Sequence, residues 1–431
     1  MRPLFQLFSR HIAGHSRKAH LQASAATAST ALLSMAAYSA SVAKHPGVSP
    51  NDAAAKPHHV KDRRGRTTGF RNPHPSFTKS KTLDIFMLFF KWHIGLIKFP
   101  EPTGKEVSVV PAQFLQSRIA SPNLRATWLG HACYYLEYPS GLRVLFDPVM
   151  ENHCTPVSFV GFKRYTQPPC DLSALPYVDV VVISHNHYDH LSYPSVCEIQ
   201  KNHPNTHFFV PLGLESWFKK AGIANVTEMD WWDDAEITLS PEAQKSDAGR
   251  AKSTASSNAP HEPIKARISC LPSQHTSSRK GFDENKTLWS SWGIASGGKS
   301  VWFGGDTGYR SVPQIPKDID DYGSEYSHLP VCPQFRQIGE LCGPFDLGLI
   351  PIGAYEPRHI FLGEHANPVD AVNIFQDIKC RRAMAIHWGT WVLTPEEVLE
   401  PPRRLKETLR LKGLPETGVF DVCAIGESRE F

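Results

Sequence analysis

The sequence predicts an α/β fold built of two β-sheets with helices packed outside them. Three observations lead there. Short runs of β-branched and aromatic residues recur from residue 125 onward, divided by Gly or Pro. Several of these runs are continuously apolar, the pattern of a strand buried on both faces. Helical stretches, for example 214–221 and 368–377, sit between some of them.

Taken in order, "ATWLGH", "CYYLEY" and "LRVLFDP" read as three successive short strands. "VDVVVIS" reads as a fully buried strand and runs directly into "SHNHYDH" at 184–190. "HFFVP", "RISCLP", "SVWFGG", "DLGLIPI" and "AMAIHW" supply further buried strands. Residues 241–265 are polar and of low complexity; strands resume on both sides, so they read as a disordered surface insertion rather than a domain boundary.

A chain of 431 residues has room for one large catalytic domain or two ordinary ones, and 41% hydrophobic residues allow a sizeable core. A net charge of +4 gives no support for a nucleic-acid partner. Nine cysteines without a C-x-x-C pair argue against a disulfide framework and against a thiolate metal site. No Asp or Glu precedes Asp52, while Arg2, Arg10, Arg17, Lys18 and Lys44 all do. An acid-free start rich in Arg, Ala and Ser has the composition of a mitochondrial transit peptide. The uncharged stretch 21–43 is long enough for a membrane span but poor in strong hydrophobes. Residues 44–80 are rich in Pro, Lys and Arg and read as a linker, so residues 1–69 are assigned to leader and linker and 70–431 to the main domain. "LDIFMLFFKWHIGLI" at 83–97 is apolar almost all round, and suits either a helix lying in a membrane interface or one packed on the domain's own core.

One motif is rejected. "GIASGGKS" at 293–300 matches the phosphate-binding P-loop pattern, whose mechanism needs a helix after the loop. The following "VWFGGD" is β-forming, so a hairpin turn at Gly297-Gly298 is expected and no nucleotide partner.

The cluster after "VDVVVIS" carries the chemistry. In an extended loop, residues two apart project to the same side, so His185 and His187 can grip one cation together. Asp189 and His190, just beyond, reach a second one nearby. His275 follows "RISCLPSQ", Asp306 follows "SVWFGG" and His387 follows "AMAI", each at the end of a predicted strand. Singly these are ordinary loop residues; in this order they complete a dinuclear metal site.

The ordered set resembles the metallo-β-lactamase superfamily, whose fold is an αββα sandwich of mixed sheets with a dinuclear zinc site at one edge. "FRNPHP", "WLGHA", "ISHNHYDHL", "FVPLGL", "DWW", "SWG", "FGGDTGY", "PIGAYEPR" and "AIHWGT" are similar to one branch, the N-acylphosphatidylethanolamine-hydrolysing phospholipases D, over roughly residues 70–431. "TSSRKGFDENK" after His275 departs from the animal members, which place an aromatic residue there; the departure bears on acyl-chain preference.

The resemblance implies two zinc ions, one held by His185, His187 and His275 and the other by Asp189, His190 and His387, with Asp306 bridging. It implies hydrolysis of a phospholipid phosphodiester at a membrane surface, with Asp189 or Asp306 orienting the nucleophile. Tyr188 and His365 are candidates for holding the phosphate or protonating the leaving alkoxide. Segment 83–97 would bring the site to the bilayer. The expected location is mitochondrial and membrane-associated, or else peripheral on another intracellular membrane; a homodimer is left open. The competing readings are a zinc-dependent lactonase or soluble phosphodiesterase of the same fold, an inactive scaffold and a di-iron redox protein. A scaffold would be expected to have lost ligands, and a di-iron redox protein to carry a flavin-binding domain after the sheet.

Overall fold

Every strand run expected from the sequence forms a strand in the computed structural model, which describes residues 38–80, 82–118, 121–155, 161–241, 262–316 and 319–431. Strands β1 (Tyr38–Pro46), β2 (His59–Lys61) and β3 (Thr67–Phe70) precede helix α1 (Thr82–His93). There follow β4 (Arg125–Gly130), β5 (Cys133–Glu137), β6 (Arg143–Phe146), β7 (Val180–Val182), α2 (Tyr193–Asn202), β8 (His207–Pro211), α3 (Glu215–Lys220) and β9 (Val226–Met229). The second half contributes β10 (Asp233–Pro241), β11 (Ile264–Leu271), β12 (Ser291–Ser296), β13 (Lys299–Phe303), α4 (Gln334–Leu341) and β14 (Phe345–Pro351). It closes with α5 (Arg358–Phe361), α6 (Pro368–Asp377), β15 (Cys380–Ile386), α7 (Glu400–Leu411), β16 (Phe420–Asp421) and β17 (Ser428–Glu430).

The strands form a seven-stranded sheet, ordered β17-β4-β5-β6-β7-β8-β9, and an eight-stranded sheet, ordered β1-β10-β11-β12-β13-β14-β15-β16. Both are mixed: pairing is antiparallel up to β6 and β13 respectively and parallel beyond them. Side-chain alternation explains the continuous apolar runs. In the first sheet Trp128, Tyr134, Phe146, Val180, Val182 and Phe209 face the second sheet. Their neighbours Leu129, Tyr135, Leu145, Val181 and Phe208 face outward into a second cluster with Val196 and Ile199 of α2 and Phe218 of α3. On the far side, α4, α6 and α7 cover the eight-stranded sheet through Phe335, Ile374 and Leu409. The order of layers is therefore helix, sheet, sheet, helix. Phe146 and Phe303 meet across the sheets at 4.5 Å between ring centroids, and Trp292 Nε1 donates to the carbonyl of Ile183 at 3.0 Å. Burial of each such large apolar side chain contributes about 1.5–3 kcal/mol.

The rejected P-loop is a hairpin. Ser296 pairs with Lys299, and Gly297 and Gly298 take φ of +57° and +75°, as a two-residue turn between antiparallel strands requires. Lys299→Ala is therefore expected to leave folding unchanged, with no ATP binding in either protein by equilibrium dialysis. Saturable ATP binding that the variant loses would show the turn to be a nucleotide loop.

Two expectations are corrected at the N-terminal side. Residues 38–69, assigned to leader and linker, belong to the folded unit. β1 pairs along its length with β10, from Tyr38↔Pro241 to Pro46↔Asp233, and β2 and β3 form a hairpin. No apolar pattern announces β1 because it is an edge strand: apart from Tyr38 and the partly buried Val42 its side chains are largely exposed, and backbone pairing does most of the seating. The same pairing takes residues 38–43 out of the candidate span at 21–43. Residues 1–37 lie outside the described residues, as do 242–261 of the insertion, which joins β10 to β11 where Leu239 pairs with Ile264.

Segment 83–97 begins in α1, and its apolar side chains largely face outward: Leu83, Phe86, Phe90, Trp92, Ile94 and Leu96 are exposed, while Leu88 is buried. Among the described residues no helix is long and apolar enough to cross a membrane.

Candidate metal centre

Every ligand expected from the sequence lies at or just beyond the C-terminal end of a strand, where open α/β sheets present their sites. β7 delivers the chain to His185, His187, Asp189 and His190; the Ser192 hydroxyl then caps α2 by accepting from the Ser195 N–H. β11 leads to His275, β13 to Asp306 and β15 to His387. Gly305 makes the meeting of these loops feasible. It has φ of +56°, and a Cβ there would stand 2.4 Å from the Ser184 Cβ.

The imidazoles converge. His185 Nε2 and His187 Nδ1 face each other at 2.8 Å, and His275 Nε2 is 3.2 Å from the same His187 nitrogen. Ring nitrogens brought together in this way need a proton or a cation between them. The second group surrounds two carboxylates. Asp189 Oδ2 is 3.4 Å from His190 Nε2 and 3.5 Å from His387 Nε2. Asp306 spans both groups: its Oδ1 is 3.2 Å from His190 Nε2, and its Oδ2 is 3.0 Å from His387 Nε2, 3.7 Å from His275 Nε2 and 4.0 Å from His185 Nε2. Both oxygens of Asp306, with Nε2 of His190 and of His387, are buried without a hydrogen-bond partner. Buried polar atoms are rarely left so, and this set of imidazole and carboxylate donors fits a pair of divalent cations.

Electrostatics agree. Burial alone would lower His387, but Asp306 and Asp189 raise it to about 9, and the same carboxylates carry His190 well above the ordinary histidine value against burial. Burial would raise Asp306 and Asp189, yet the surrounding histidines hold both well below the ordinary carboxyl value. The field that holds protons on these nitrogens equally attracts metal ions, which compete for the same atoms.

Outer partners fix the rings. Asp147 Oδ2 lies 2.7 Å from His190 Nδ1 and accepts from the Ser184 hydroxyl at 2.5 Å, and His275 Nδ1 is 2.9 Å from the carbonyl of Glu364. Such contacts orient a ligand and commonly change metal affinity about 10–100-fold. Asp147→Asn is accordingly expected to weaken one of two bound metals by about that factor in a chelator competition while leaving the other in place. Equal loss of both would mean that Asp147 supports the loops and not His190 in particular.

Of the remaining sequence candidates, His365 stands beside the cluster and Tyr188 packs against a neighbouring cation. His365 Nδ1 is 3.7 Å from Asp306 Oδ2, and its half-buried ring lies 5.0 Å from that of His275 and 5.3 Å from that of His387. The Tyr188 ring instead carries the guanidinium of Arg279 at 3.8 Å.

Several site residues were not anticipated. His131 puts Nε2 3.0 Å from Asp189 Oδ2 and its ring 4.1 Å from that of His387. Its signal was its place after β4 in "WLGHA". Arg279 donates to the carbonyls of Asn186 and Leu191 at 2.8 and 2.7 Å, clamping the ligand loop. Asn72 donates to the carbonyl of His275 at 2.7 Å.

A layered α/β protein with a histidine and carboxylate cluster suited to metal at the strand ends is the class that fold and site define. The Beta-lactamase superfamily domain model matches residues 142–388. The N-acyl-phosphatidylethanolamine-hydrolyzing phospholipase D 1 of Caenorhabditis elegans is 36% identical over 292 residues, covering 66% of this chain and 70% of the relative. The mitochondrial N-acyl-phosphatidylethanolamine-hydrolyzing phospholipase D of Saccharomyces cerevisiae is 32% identical over 282 residues, 65% of this chain and 50% of the relative, so the chain spans about half of the yeast protein. Among solved structures, a metallo hydrolase from the archaeon Ignicoccus hospitalis aligns with 72% of this chain and 98% of its own, at 19% identity and a TM-score of 0.43. The chain belongs to the metallo-β-lactamase superfamily, in the branch of the N-acylphosphatidylethanolamine-hydrolysing phospholipases D, and is a metal-dependent hydrolase.

Proposed function

We propose that the protein hydrolyses N-acylphosphatidylethanolamine at a membrane surface, releasing N-acylethanolamine and leaving phosphatidic acid, with two zinc ions per chain. The observation that carries this reading is the aromatic path between α1 and the metal centre. Phe89 of α1 lies 6.4 Å from Phe162, Phe162 packs into the cluster holding Trp391, and the Trp391 ring is 4.8 Å from His131. An exposed apolar helix joined to a hydrolytic site fits a substrate that stays in the bilayer.

His185, His187 and His275 would hold one metal and Asp189, His190 and His387 the other, with Asp306 shared. When bound, the pair supplies Lewis acidity that activates water near neutral pH and offsets charge on the phosphate. Asp189 and Asp306 accept hydrogen bonds from the attacking water and aim it at phosphorus. A bond from the water oxygen to phosphorus forms, the bond from phosphorus to the ethanolamine oxygen breaks, and a proton passes to that leaving oxygen. His365 is better placed than Tyr188 to hold the phosphate or hand over this proton, since its ring stands beside both ligand groups.

Purified protein given N-acylphosphatidylethanolamine in vesicles should release N-acylethanolamine, lose that activity to a chelator and recover it with zinc, and contain about two zinc ions per chain. Turnover of lactones or soluble phosphodiesters alone would replace this reading. The acid-free start of the chain and the mitochondrial name of the yeast relative support a mitochondrial membrane as its location, which fractionation of cells expressing the tagged full chain tests.

A further inference from the structure

The Asp-Trp-Trp stretch at 230–232 has no part in the metal centre described above, yet it builds a second cluster of metal-ligating groups. Asp230 sits buried in the turn between β9 and β10, and its carboxylate meets the segment entering β2. His58 Nε2 is 2.8 Å from Oδ1, while His59 Nε2 is 2.9 Å and Lys56 Nζ 2.6 Å from Oδ2. Both histidines are nearly closed off from solvent, whereas the Lys56 side chain is about half exposed. The rings of His58 and His59 stand edge to face at 4.5 Å and 78°, close to the 4.5 Å and 83° of His185 and His187 in the main centre.

The surroundings hold these rings as the outer partners of metal ligands do. His58 stacks on Trp231 at 4.3 Å, His59 rests its edge on Phe70 at 5.3 Å, and Thr67 Oγ1 is 2.9 Å from His59 Nδ1. A partner on Nδ1 turns Nε2 toward the carboxylate, the arrangement by which proteins orient a ligating histidine. Two imidazoles and one carboxylate match the donor set of a zinc site completed by water. Lys56 occupies, with its ammonium, the Asp230 oxygen that a cation would use, on a flexible and about half-exposed stem. There is also a structural use for such a site. Strands of three and four residues make a hairpin too small to be stable alone, and Asp230 is where it joins the sandwich. Just beyond the hairpin, Asn72 donates to the carbonyl of His275 at 2.7 Å, so the hairpin is continuous with a segment that touches the main centre.

We propose that His58, His59 and Asp230 form a structural divalent-cation site, best suited to zinc, with Lys56 as its displaceable occupant. It shares no residue with the dinuclear centre and assumes nothing about substrate. The test is zinc binding by the full chain after metal stripping, measured against a competing chelator, in three proteins. The wild type should bind one equivalent more than the His58→Ala/His59→Ala variant, and its melting temperature should rise further with added zinc. Lys56→Met should bind that extra equivalent about tenfold more tightly or better, because one adjacent positive charge is gone. Equal zinc numbers in the wild type and the double variant would overturn the proposal. If the double variant does not fold, Lys56→Met decides alone, and an unchanged zinc isotherm would mean that the cluster is an ion-pair clasp and nothing more. Because the readout is a difference of one equivalent, a failure of the dinuclear reading would change the baseline and not this result.

Discussion

Asp306→Asn is expected to abolish metal-dependent hydrolysis, with a loss of roughly 10³-fold or more, and to strip metal from both ligand groups together. The size of the effect follows from its position. Asp306 has oxygens that approach imidazoles of both groups, at 3.0 Å from His387 and 3.7 Å from His275. Asparagine keeps the shape but brings no charge, and only one of its two end atoms can accept. Exchange of an outer partner already changes affinity about 10–100-fold, so loss of a shared inner ligand should exceed that. The variant should fold normally, since the contacts of Gly305 and the strands around it are untouched; circular dichroism and the melting curve serve as the control. Full metal content with full activity would remove Asp306 from its bridging role. Loss of one metal alone would assign it to a single ion.

The second large effect concerns the bilayer. Phe86→Asp together with Phe90→Asp should lower vesicle binding and turnover of bilayer substrate by about 10²-fold or more, since each phenylalanine contributes about 1.5–3 kcal/mol when it leaves water. A diacyl lipid is held in the membrane by about 0.8 kcal/mol per methylene, so the enzyme must come to it. Phe86 and Phe90 are 63% and 46% exposed and stack on each other at 6.3 Å, outside the contacts that seat the helix. Those contacts run through buried Leu88 and through Phe89, which meets Phe99 and Phe162 at 6.4 Å each. The doubly substituted protein should therefore keep its metals and still cleave a short-chain, water-soluble phosphodiester. Equal loss on both substrates with a lowered melting temperature would make α1 a packing element.

The two expectations recorded for segment 83–97, interface helix or core helix, could not be separated in the sequence because both need a run apolar almost all round. The folded chain adds that Leu83, Phe86, Phe90, Trp92, Ile94 and Leu96 are exposed, and the double substitution decides between the two. The leader and linker assignment failed for a related reason. β1 is seated by backbone pairing with β10 while its side chains remain largely in water, so composition carries no trace of it. The sequence likewise carries no sign that the Tyr188 ring packs against Arg279, 91 residues further along the chain.

By itself the sequence determined the strand runs and marked the candidate ligands. Strands buried on both faces must be apolar at every position, so β7, β13 and β15 stand out as text, and polar residues following directly on them mark the strand ends. His185, His187, Asp189, His190, Asp306 and His387 could be read for that reason, and His275 from its place after the run that forms the end of β11. The tertiary structure alone decided which atoms meet. The placing of His131 on Asp189, of Asn72 on the carbonyl of His275 and of His58 and His59 on Asp230 joins residues 58, 203, 172 and 171 positions apart. Such contacts depend on how two sheets stack and on where a loop returns. Neither leaves a local period in the chain, because the free energy that sets them comes from packing the whole core.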